Sequence, residues 1–235
     1  MSNNNPRIIA FYLPQFHPTP HNDEWYGKGF TEWTNVAKAK KLFWGHEQPH
    51  IPADLGFYDL RLPEVREEQA KLAKDAGIEG FCYYHYWFAP NEFELELPFN
   101  EVLRSGNPNF PFMFCWANET WQKKFWNIDG SIEKHDLRTQ TYGGFQDYKQ
   151  HFNDVLPAFK DNRYIKIDNK PAFMIYKPLN IPDLKIFTTT WNKLAKENGF
   201  DGVFFIGQSI NADKEKKTML EAGINIVNSV RHYDN

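Results

Sequence analysis

Residues 63–84 read PEVREEQAKLAKDAGIEGFCYY, and this stretch decides the fold. Pro63 and the glutamates behind it suit a first helical turn, because the N–H that proline lacks has no partner there and acidic groups favour the positive end of the helix dipole. Gly77 fits the C-cap of this helix. The following run, Gly80–Tyr84, is nearly continuously apolar, which is typical of a strand buried on both faces of a parallel sheet.

The same order of helix, glycine and strand recurs along the chain. Gly199 and Gly223 follow predicted helices at 183–198 and 212–222, and another helix is predicted at 145–159. The predicted strands are 7–12, 80–84, 112–116, 172–176, 203–207 and 224–227. Strands that alternate with helices predict an α/β fold with right-handed crossovers.

Composition excludes several classes of protein. The chain has 235 residues, a formal net charge of −3 and a pI of about 6.2. This balance argues against a nucleic-acid partner, which needs a basic face, and no apolar run reaches the roughly 18 residues of a membrane span. No signal-peptide stretch precedes the first strand, and we expect a cytoplasmic location. Cys82 and Cys115 lie in apolar runs, which favours buried thiols, with a bridge between them as the alternative.

Aromatic residues and long loops point to the place of a site. Aromatic residues make up 17% of the chain, yet the mean hydropathy is −0.65, so the rings accompany polar residues. The connections 13–62 and 117–143 both follow predicted strands, whereas the turns that lead into strands take only a few residues. Long ordered loops after the carboxyl ends of strands are where α/β folds build their sites.

Two groups of candidate residues occur at the end of the first strand and in the loop behind it. They are Tyr12, Gln15, His17, Trp25, Glu32 and Trp33. The first three directly follow or end the strand, and a rigid turn flanked by prolines is the alternative for them. The last three combine ring faces with a carboxylate, which is typical of glycan sites because a ring face attracts polarised C–H groups. A surface loop held down by tryptophan packing is the alternative.

Two more groups occur in and after the second and third strands. They are His85, Trp87, Trp116, Asn118, Glu119 and Trp121. His85 suits acid–base work or a sugar hydroxyl, with a structural role as the alternative. Glu119 stands beside an amide and between two indoles, which suits proton donation in glycosidic chemistry, and a structural hydrogen-bonded Glu is the alternative. No ligand spacing accompanies His46 and His50, and no phosphate-binding loop occurs, so we expect neither a metal nor a cofactor.

Several long motifs together resemble one family, the WbsX-type, glycoside hydrolase family 99-like domain. They are FYLPQFHP (11–18), NDEWYGKGFTEWTNVAKAK (22–40), PADLGFYDLRLPEVREEQAKLAKDAGIEGFCYYHYWF (52–88), PFMFCWANETW (111–121) and NKPAFMIYKP (169–178). The resemblance extends from about Arg7 to Gly207. It implies a (β/α)8 TIM-type barrel that acts on glycans, hydrolase relatives that need no metal or nucleotide, and an association with lipopolysaccharide and other surface polysaccharides. We expect one domain over 7–235 after a disordered N-terminus at 1–6.

The paired acidic residues of that family lie in a late Asn-Glu-Trp-x-Glu phrase, which this sequence lacks. The resemblance therefore carries over only the first part of the pocket. The substrate-site candidates that it implies are Tyr12, Gln15, His17, Trp25, Glu32, Trp33, His85, Trp87, Trp116, Asn118 and Glu119. Trp121, after the third strand, is a further substrate-binding candidate of this sequence. Glu119 and Glu32 are the catalytic candidates of this sequence.

The sequence as a whole predicts a glycan-processing domain, a glycoside hydrolase or glycosyltransferase, acting on surface polysaccharide or a mannose-type oligosaccharide. Six strands and five helices leave two of eight βα units unaccounted for, so we expect an oligomer or a missing C-terminal segment to cover the open barrel. The expected partner is a glycan, with no nucleic acid. One alternative is a non-catalytic carbohydrate-binding or remnant protein. Another is a sugar-nucleotide glycosyltransferase, against which the absence of a D-x-D phrase counts.

We predict that residues 1–235 by themselves are unstable or oligomerise, and that they show no turnover. An unclosed barrel exposes strand edges and the apolar face meant for further helices, and the late acidic phrase is absent. Size-exclusion chromatography, together with glycosidase and transferase assays on mannose-type oligosaccharides, checks this. A monomer with robust activity would contradict it.

Overall fold

The computed structural model of the protein describes residues 6–126 and 132–230. The chain divides into two compact units. The first unit runs to residue 80 and includes 95–110, and the second unit comprises 81–94 and the residues from 111 onward. The single domain over 7–235 stays a prediction, and the disordered segment predicted at 1–6 lies, apart from Pro6, outside the described residues.

The described residues of the first unit form one strand and four helices. They are β1 (Ile9–Tyr12), α1 (Pro20–Tyr26), α2 (Glu32–Lys38), α3 (Pro63–Asp75) and α4 (Leu97–Ser105). Helix α3 starts with Pro63 in its first turn, as its sequence predicts. Helix α1 has a side-chain cap, since the hydroxyl of Thr19 accepts a hydrogen bond from the backbone N–H of Asn22 at 3.1 Å.

The second unit contains most of the strands and the longer helices. Its elements are β2 (Gly80–Ala89), β3 (Glu92–Glu94), β4 (Phe112–Trp116), β5 (Trp121–Trp126), β6 (Ile132–Arg138), α5 (Phe145–Lys160), β7 (Lys166–Ile167), β8 (Lys170–Ile175), α6 (Leu184–Glu197), β9 (Phe204–Ser209), α7 (Ala212–Glu221) and β10 (Ile226–Ser229). A short 3₁₀ helix spans Pro178–Asn180. Across the ranges 6–126 and 132–230, none of the helices has the length and apolarity to cross a membrane.

A parallel sheet of five strands forms the centre of the second unit, in the order β2-β4-β8-β9-β10. One row of paired residues crosses all five strands, through Tyr84, Cys115, Met174, Ile206 and Ile226. The strand register therefore brings the carboxyl ends of neighbouring strands to the same edge. Residues that follow β4, β8 and β9 are neighbours there.

The six predicted strands and the four named helices are all present, with ends shifted by a few residues. The long connections differ from the expected loops. The connection 13–62 contains the helices α1 and α2, and the connection 117–143 contains β5 and β6, which pair antiparallel. Residues 127–131 of that connection lie outside the described residues. Charged residues within β5 and β6 concealed the strands, because their sequence lacks an apolar alternation.

The predicted turns from helix to strand depend on glycine. Gly77, Gly199 and Gly223 have φ angles of +81°, +89° and +95°. This left-handed region is open to glycine at little cost and strained for other residues. The three glycines therefore let each helix end and the chain return to the next strand.

The core of the second unit is aromatic and is centred on Trp191 of α6. The ring of Trp191 is fully buried and lies 4.6 Å from the ring of Phe173 and 4.7 Å from that of Phe187. Its indole N–H donates to the backbone carbonyl of Tyr148 at 2.9 Å, so the polar atom of the ring is satisfied. The indole thereby joins α6 to α5 and to the sheet.

Both cysteines are buried free thiols, as the sequence favours. Cys82 of β2 and Cys115 of β4 contact each other, and burial together with this contact raises the pKa of the Cys115 thiol well above its ordinary value. The pair therefore contributes as small apolar groups between two strands.

We predict that Trp191→Ala lowers the free energy of unfolding by about 3–5 kcal/mol, because it leaves a large cavity and removes the indole hydrogen bond to the carbonyl of Tyr148. Trp191→Phe should cost less, since most of the volume remains. Urea unfolding followed by circular dichroism measures both. Thr189→Ala, an exposed position on the same helix, is the control, and equal stabilities for Trp191→Ala and the control would overturn the assignment.

Candidate functional site

In the first unit, the candidates that end or follow β1 lie in a polar, partly buried environment. The hydroxyl of Tyr12 donates to Oε1 of Gln69 at 2.7 Å, and the Tyr12 side chain is buried. Gln15 is half-buried. His17 is buried, and burial lowers its pKa although Asp59 acts in the opposite direction. The substrate-binding roles of these three residues stay predictions.

The candidates on α1 and α2 of the same unit belong to a packed aromatic group. Trp33 is half-buried, donates its indole N–H to the carbonyl of Tyr58 at 2.9 Å and lies 4.6 Å from the ring of Phe16. Trp25 is half-buried and stacks on His21 at 5.5 Å. Glu32 is in the first turn of α2. Trp33 holds the loop in place, and the predicted glycan contacts of this group stay predictions.

In the second unit, His85 belongs to a pair of imidazoles. Its Nε2 lies 3.0 Å from Nε2 of His151, which is fully buried on α5. Burial lowers the pKa of His85 to about 3 and holds the pKa of His151 well below its ordinary value. Because both rings are neutral at pH 7, one nitrogen donates and the other accepts. In the structural role that is the alternative for His85, its hydrogen-bond partner is therefore His151.

The rings of Trp87 and Trp116 lie in the core beside this pair. Their exposed fractions are 1% and 0%. Trp87 stacks on His151 at 4.3 Å and donates to Oδ2 of Asp154 at 2.9 Å, while the Trp116 indole donates to the carbonyl of Trp87 at 2.8 Å. The two indoles support the strand ends from within, and direct sugar contacts by these rings stay predictions.

Asn118 joins the loop after β4 to the chain after β8. Its Oδ1 accepts from the backbone N–H of Lys177 at 2.8 Å, and its Nδ2 donates to the backbone carbonyl of Lys177 at 2.8 Å and to the hydroxyl of Tyr142 at 3.0 Å. Asn118 is 1% exposed. The hydrogen-bonding groups of its amide are therefore largely satisfied within the protein. These bonds form a clamp between the two segments, which fixes the positions of Glu119 and Lys177.

Glu119 is the carboxylate that this clamp presents. Its Oε1 lies 2.5 Å from Nζ of Lys177, with side chains 40% and 46% exposed. The expected pocket between two indoles is corrected here, because the Trp116 ring is buried in the core and an ammonium is the close partner of the carboxylate. An ion-paired carboxylate accepts hydrogen bonds, so this setting suits a hydroxyl acceptor, and the catalytic role of Glu119 as proton donor stays a prediction.

The remaining candidate, Trp121, begins β5 and is half-buried. Its ring lies 5.0 Å from that of Tyr86 and 5.6 Å from that of Phe88, both edge-on. Two further half-buried rings lie 6.4 Å apart, those of Tyr84 in the middle of β2 and of Tyr176 directly after β8. Burial raises the pKa of Tyr84 to about 12, so its hydroxyl keeps its proton.

Sequence reasoning did not select Lys177, or the cleft beside it. The cleft has a volume of about 330 Å³ and is lined by residues that follow β8, by the end of β9 and by two side chains of α7. Lys177 and its neighbours come directly after a predicted strand, at 172–176. The same rule that selected Glu119, a polar group after the carboxyl end of a strand, could have found them.

The fold and the strand-end groups define an α/β protein with its candidate site at the carboxyl edge of a parallel sheet. Residues 8–234 match the family described as "Glycosyltransferase WbsX", and the chain belongs to this family. Two proteins described as "Uncharacterized protein WxcX", from two strains of Xanthomonas campestris pv. campestris, are each 40% identical over 192 residues. The match covers 82% of this chain and 27% of each relative, so the chain spans about a quarter of their length.

Solved structures with the same fold include a GH99 endo-α-mannosidase from Bacteroides thetaiotaomicron. Two structures of it match with TM-scores of 0.58 and 0.56 at 13% identity, over 95% of this chain and 58% or 60% of theirs. A glycoside hydrolase-like protein matches with a TM-score of 0.52 at 15% identity, over 89% of this chain and 53% of its own. The predicted family and the predicted α/β fold of (β/α)8 type are both confirmed.

We predict that the protein loses stability as the pH falls from 7 to 5. The pKa of His85 is about 3 in the folded state against an ordinary value of 6.5, so below pH 6.5 the unfolded state binds more protons and is favoured. His85 costs about 2 kcal/mol at pH 5, and His151, whose pKa is also lowered, acts in the same direction. Urea unfolding at several pH values measures the effect.

A matched pair of variants isolates the contribution of the imidazoles. His151→Leu should lose part of the pH dependence, because one of the two low-pKa groups is gone. His50→Gln changes an exposed histidine and should keep the dependence of the parent. Identical pH profiles for His151→Leu and the parent would show that the pair does not titrate as described.

Proposed function

We propose that this chain is a glycan-processing domain that takes a surface polysaccharide or a mannose-type oligosaccharide at the carboxyl ends of β4 and β8. The observation that carries the proposal is the Glu119–Lys177 ion pair at this edge, 2.5 Å long and accessible to solvent. Membership of a family described as a glycosyltransferase, and a fold like that of an endo-α-mannosidase, support a carbohydrate as the ligand.

Glu119 is the first catalytic candidate in this proposal. Glycosidic chemistry generally uses two carboxylates, one that exchanges a proton with the leaving or attacking oxygen and one that acts as base or nucleophile. The ion pair with Lys177 suits Glu119 to the second role or to holding a sugar hydroxyl. Glu32, on α2 of the first unit, keeps its predicted role as the other candidate.

Aromatic side chains of β2 and of the chain after β8 supply the apolar part of the proposed site. The rings of Tyr84 and Tyr176 are half-buried, so each retains exposed surface for the C–H face of a sugar. The hydroxyl of Tyr84 keeps its proton at neutral pH and can donate to a sugar oxygen. Ring faces beside a carboxylate and an ammonium give the mixed surface that a polyhydroxylated ligand requires.

A non-catalytic carbohydrate-binding role is the second candidate. Asn118 favours it, because its side-chain amide is hydrogen-bonded to Lys177 and Tyr142 within the protein rather than presented to solvent. In this case Glu119 and Lys177 would bind sugar hydroxyls without catalysing a reaction.

We predict that Glu119→Gln weakens binding of a mannose-type oligosaccharide by about tenfold or more, because a charged acceptor of hydroxyl hydrogen bonds is lost while the shape is kept. Calorimetric titration of the chain measures this. Glu197→Gln, at an exposed position on α6, is the matched control and should bind like the parent.

The same titrations separate the proposal from its alternatives. Tight binding of a sugar nucleotide without binding of oligosaccharide would favour the sugar-nucleotide transferase and contradict the proposed ligand. Oligosaccharide binding that is insensitive to Glu119→Gln would remove Glu119 from the site. Reduced binding with intact folding, checked by circular dichroism, supports the proposal.

A further inference from the structure

The cleft beside Lys177 is made by three segments of the second unit. They are the chain from Tyr176 to Asn180 after β8, residues Gln208–Ile210 at the end of β9, and the side chains of Glu215 and Met219 on α7. Its volume of about 330 Å³ lies at the lower end of the range of about 300–1,000 Å³ for small-molecule sites. A ligand of the size of one sugar ring with a linked group fits this space.

The polar groups of the cleft include two carboxamides. Asn180 and Gln208 line it, and within the described part of the chain neither side-chain amide has a hydrogen-bond partner. Each amide offers two donors and an acceptor oxygen. Such groups suit the adjacent hydroxyls of a pyranose, each of which both donates and accepts.

The apolar part of the cleft is formed by Pro178 and Met219, which are both buried, and by the half-buried ring of Tyr176. These groups pack closely, since a Cβ built on Gly207 would lie 3.1 Å from both Pro178 and Met219. An apolar floor below free amides matches the two faces of a sugar, one made of C–H groups and the other of hydroxyls.

The charges of the cleft favour a neutral ligand over an anionic one. Among the described residues that line it, Lys177 is the only cation, and Glu119 already pairs with its ammonium at 2.5 Å. Glu215 adds a carboxylate, whose Oε2 accepts from the hydroxyl of Ser209 at 2.5 Å. A phosphate or uronate would meet this carboxylate with no free cation to balance it.

We propose that this cleft is a subsite for one neutral hexose unit, held by the amides of Gln208 and Asn180 over the floor formed by Pro178 and Met219. The inference rests on the proposed glycan-processing function, and it adds the charge class of the ligand and the residues that select it. Because Lys177 both lines the cleft and pairs with Glu119, the bound unit lies next to the candidate carboxylate.

The experiment titrates the full chain with methyl α-mannoside, with mannose 6-phosphate and with a nucleoside diphosphate, and follows side-chain amide signals by ¹⁵N NMR. We expect the neutral hexoside to shift the amide signals of Gln208 and Asn180, and neither anion to do so at the same concentrations. A nucleoside diphosphate or sugar phosphate that binds more tightly than the neutral hexoside would overturn the proposal.

Variants then locate the subsite. Gln208→Ala and Asn180→Ala should each weaken binding of the hexoside by about tenfold, since each removes the hydrogen bonds of one amide. Gln146→Ala and Asn153→Ala change exposed amides on α5, outside the cleft, and should bind like the parent. If the cleft variants bind like these controls, the subsite is wrong.

The failure of the subsite can be told from the failure of the proposed function. If oligosaccharide binding depends on Glu119 but is unchanged in Gln208→Ala and Asn180→Ala, the proposed function stands and the proposed subsite is wrong. A parent chain that binds no hexoside and no oligosaccharide contradicts both.

Discussion

The candidate site depends on the amide of Asn118. The parallel pairing of β4 with β8 ends at Trp116 and Ile175, and the N–H of Tyr176 still reaches the carbonyl of Trp116 at 3.0 Å. Asn118 then bonds both the N–H and the carbonyl of Lys177, so a side chain continues the ladder where the two backbones diverge. Each backbone polar group needs a partner, and the Asn118 side chain supplies one for both polar groups of Lys177. This side-chain pairing keeps the edge ordered and sets Glu119 opposite Lys177.

The repeating part of the fold was predictable because its signals are local. A glycine after three of the four predicted helices and a short apolar run after each of these glycines need no knowledge of distant residues, and the strands at 80–89 and 204–209 start within one residue of where those signals place them. The pairing of β5 with β6 was not predictable in this way. Residues such as Lys123 and His135 face each other across that pair, and polar cross-strand pairs carry no apolar period that a sequence can reveal.

The site was predictable in part for a related reason. A polar residue after a strand was enough to select Glu119, whereas the neighbours of that residue depend on which strands lie side by side. Lys177 is 58 positions further along the chain than Glu119, and only the register of β4 with β8 brings the two together. Trp116 was selected from the sequence as a sugar contact, yet its ring is buried in the core. An indole among polar residues is compatible with either role, so the sequence does not distinguish a sugar contact from a core ring whose N–H is hydrogen-bonded.

The ion pair also limits what the edge can bind. An anionic group that took the ammonium of Lys177 would have to displace Glu119 and leave that carboxylate without its cation, at a cost in solvation and charge balance. A hydroxyl can accept from the ammonium and donate to the carboxylate while the pair stays intact. The same two residues therefore favour an uncharged polyol over a phosphate. An uncharged sugar at this edge is compatible with the description of the family as a glycosyltransferase. It is also compatible with the fold that the chain shares with an endo-α-mannosidase.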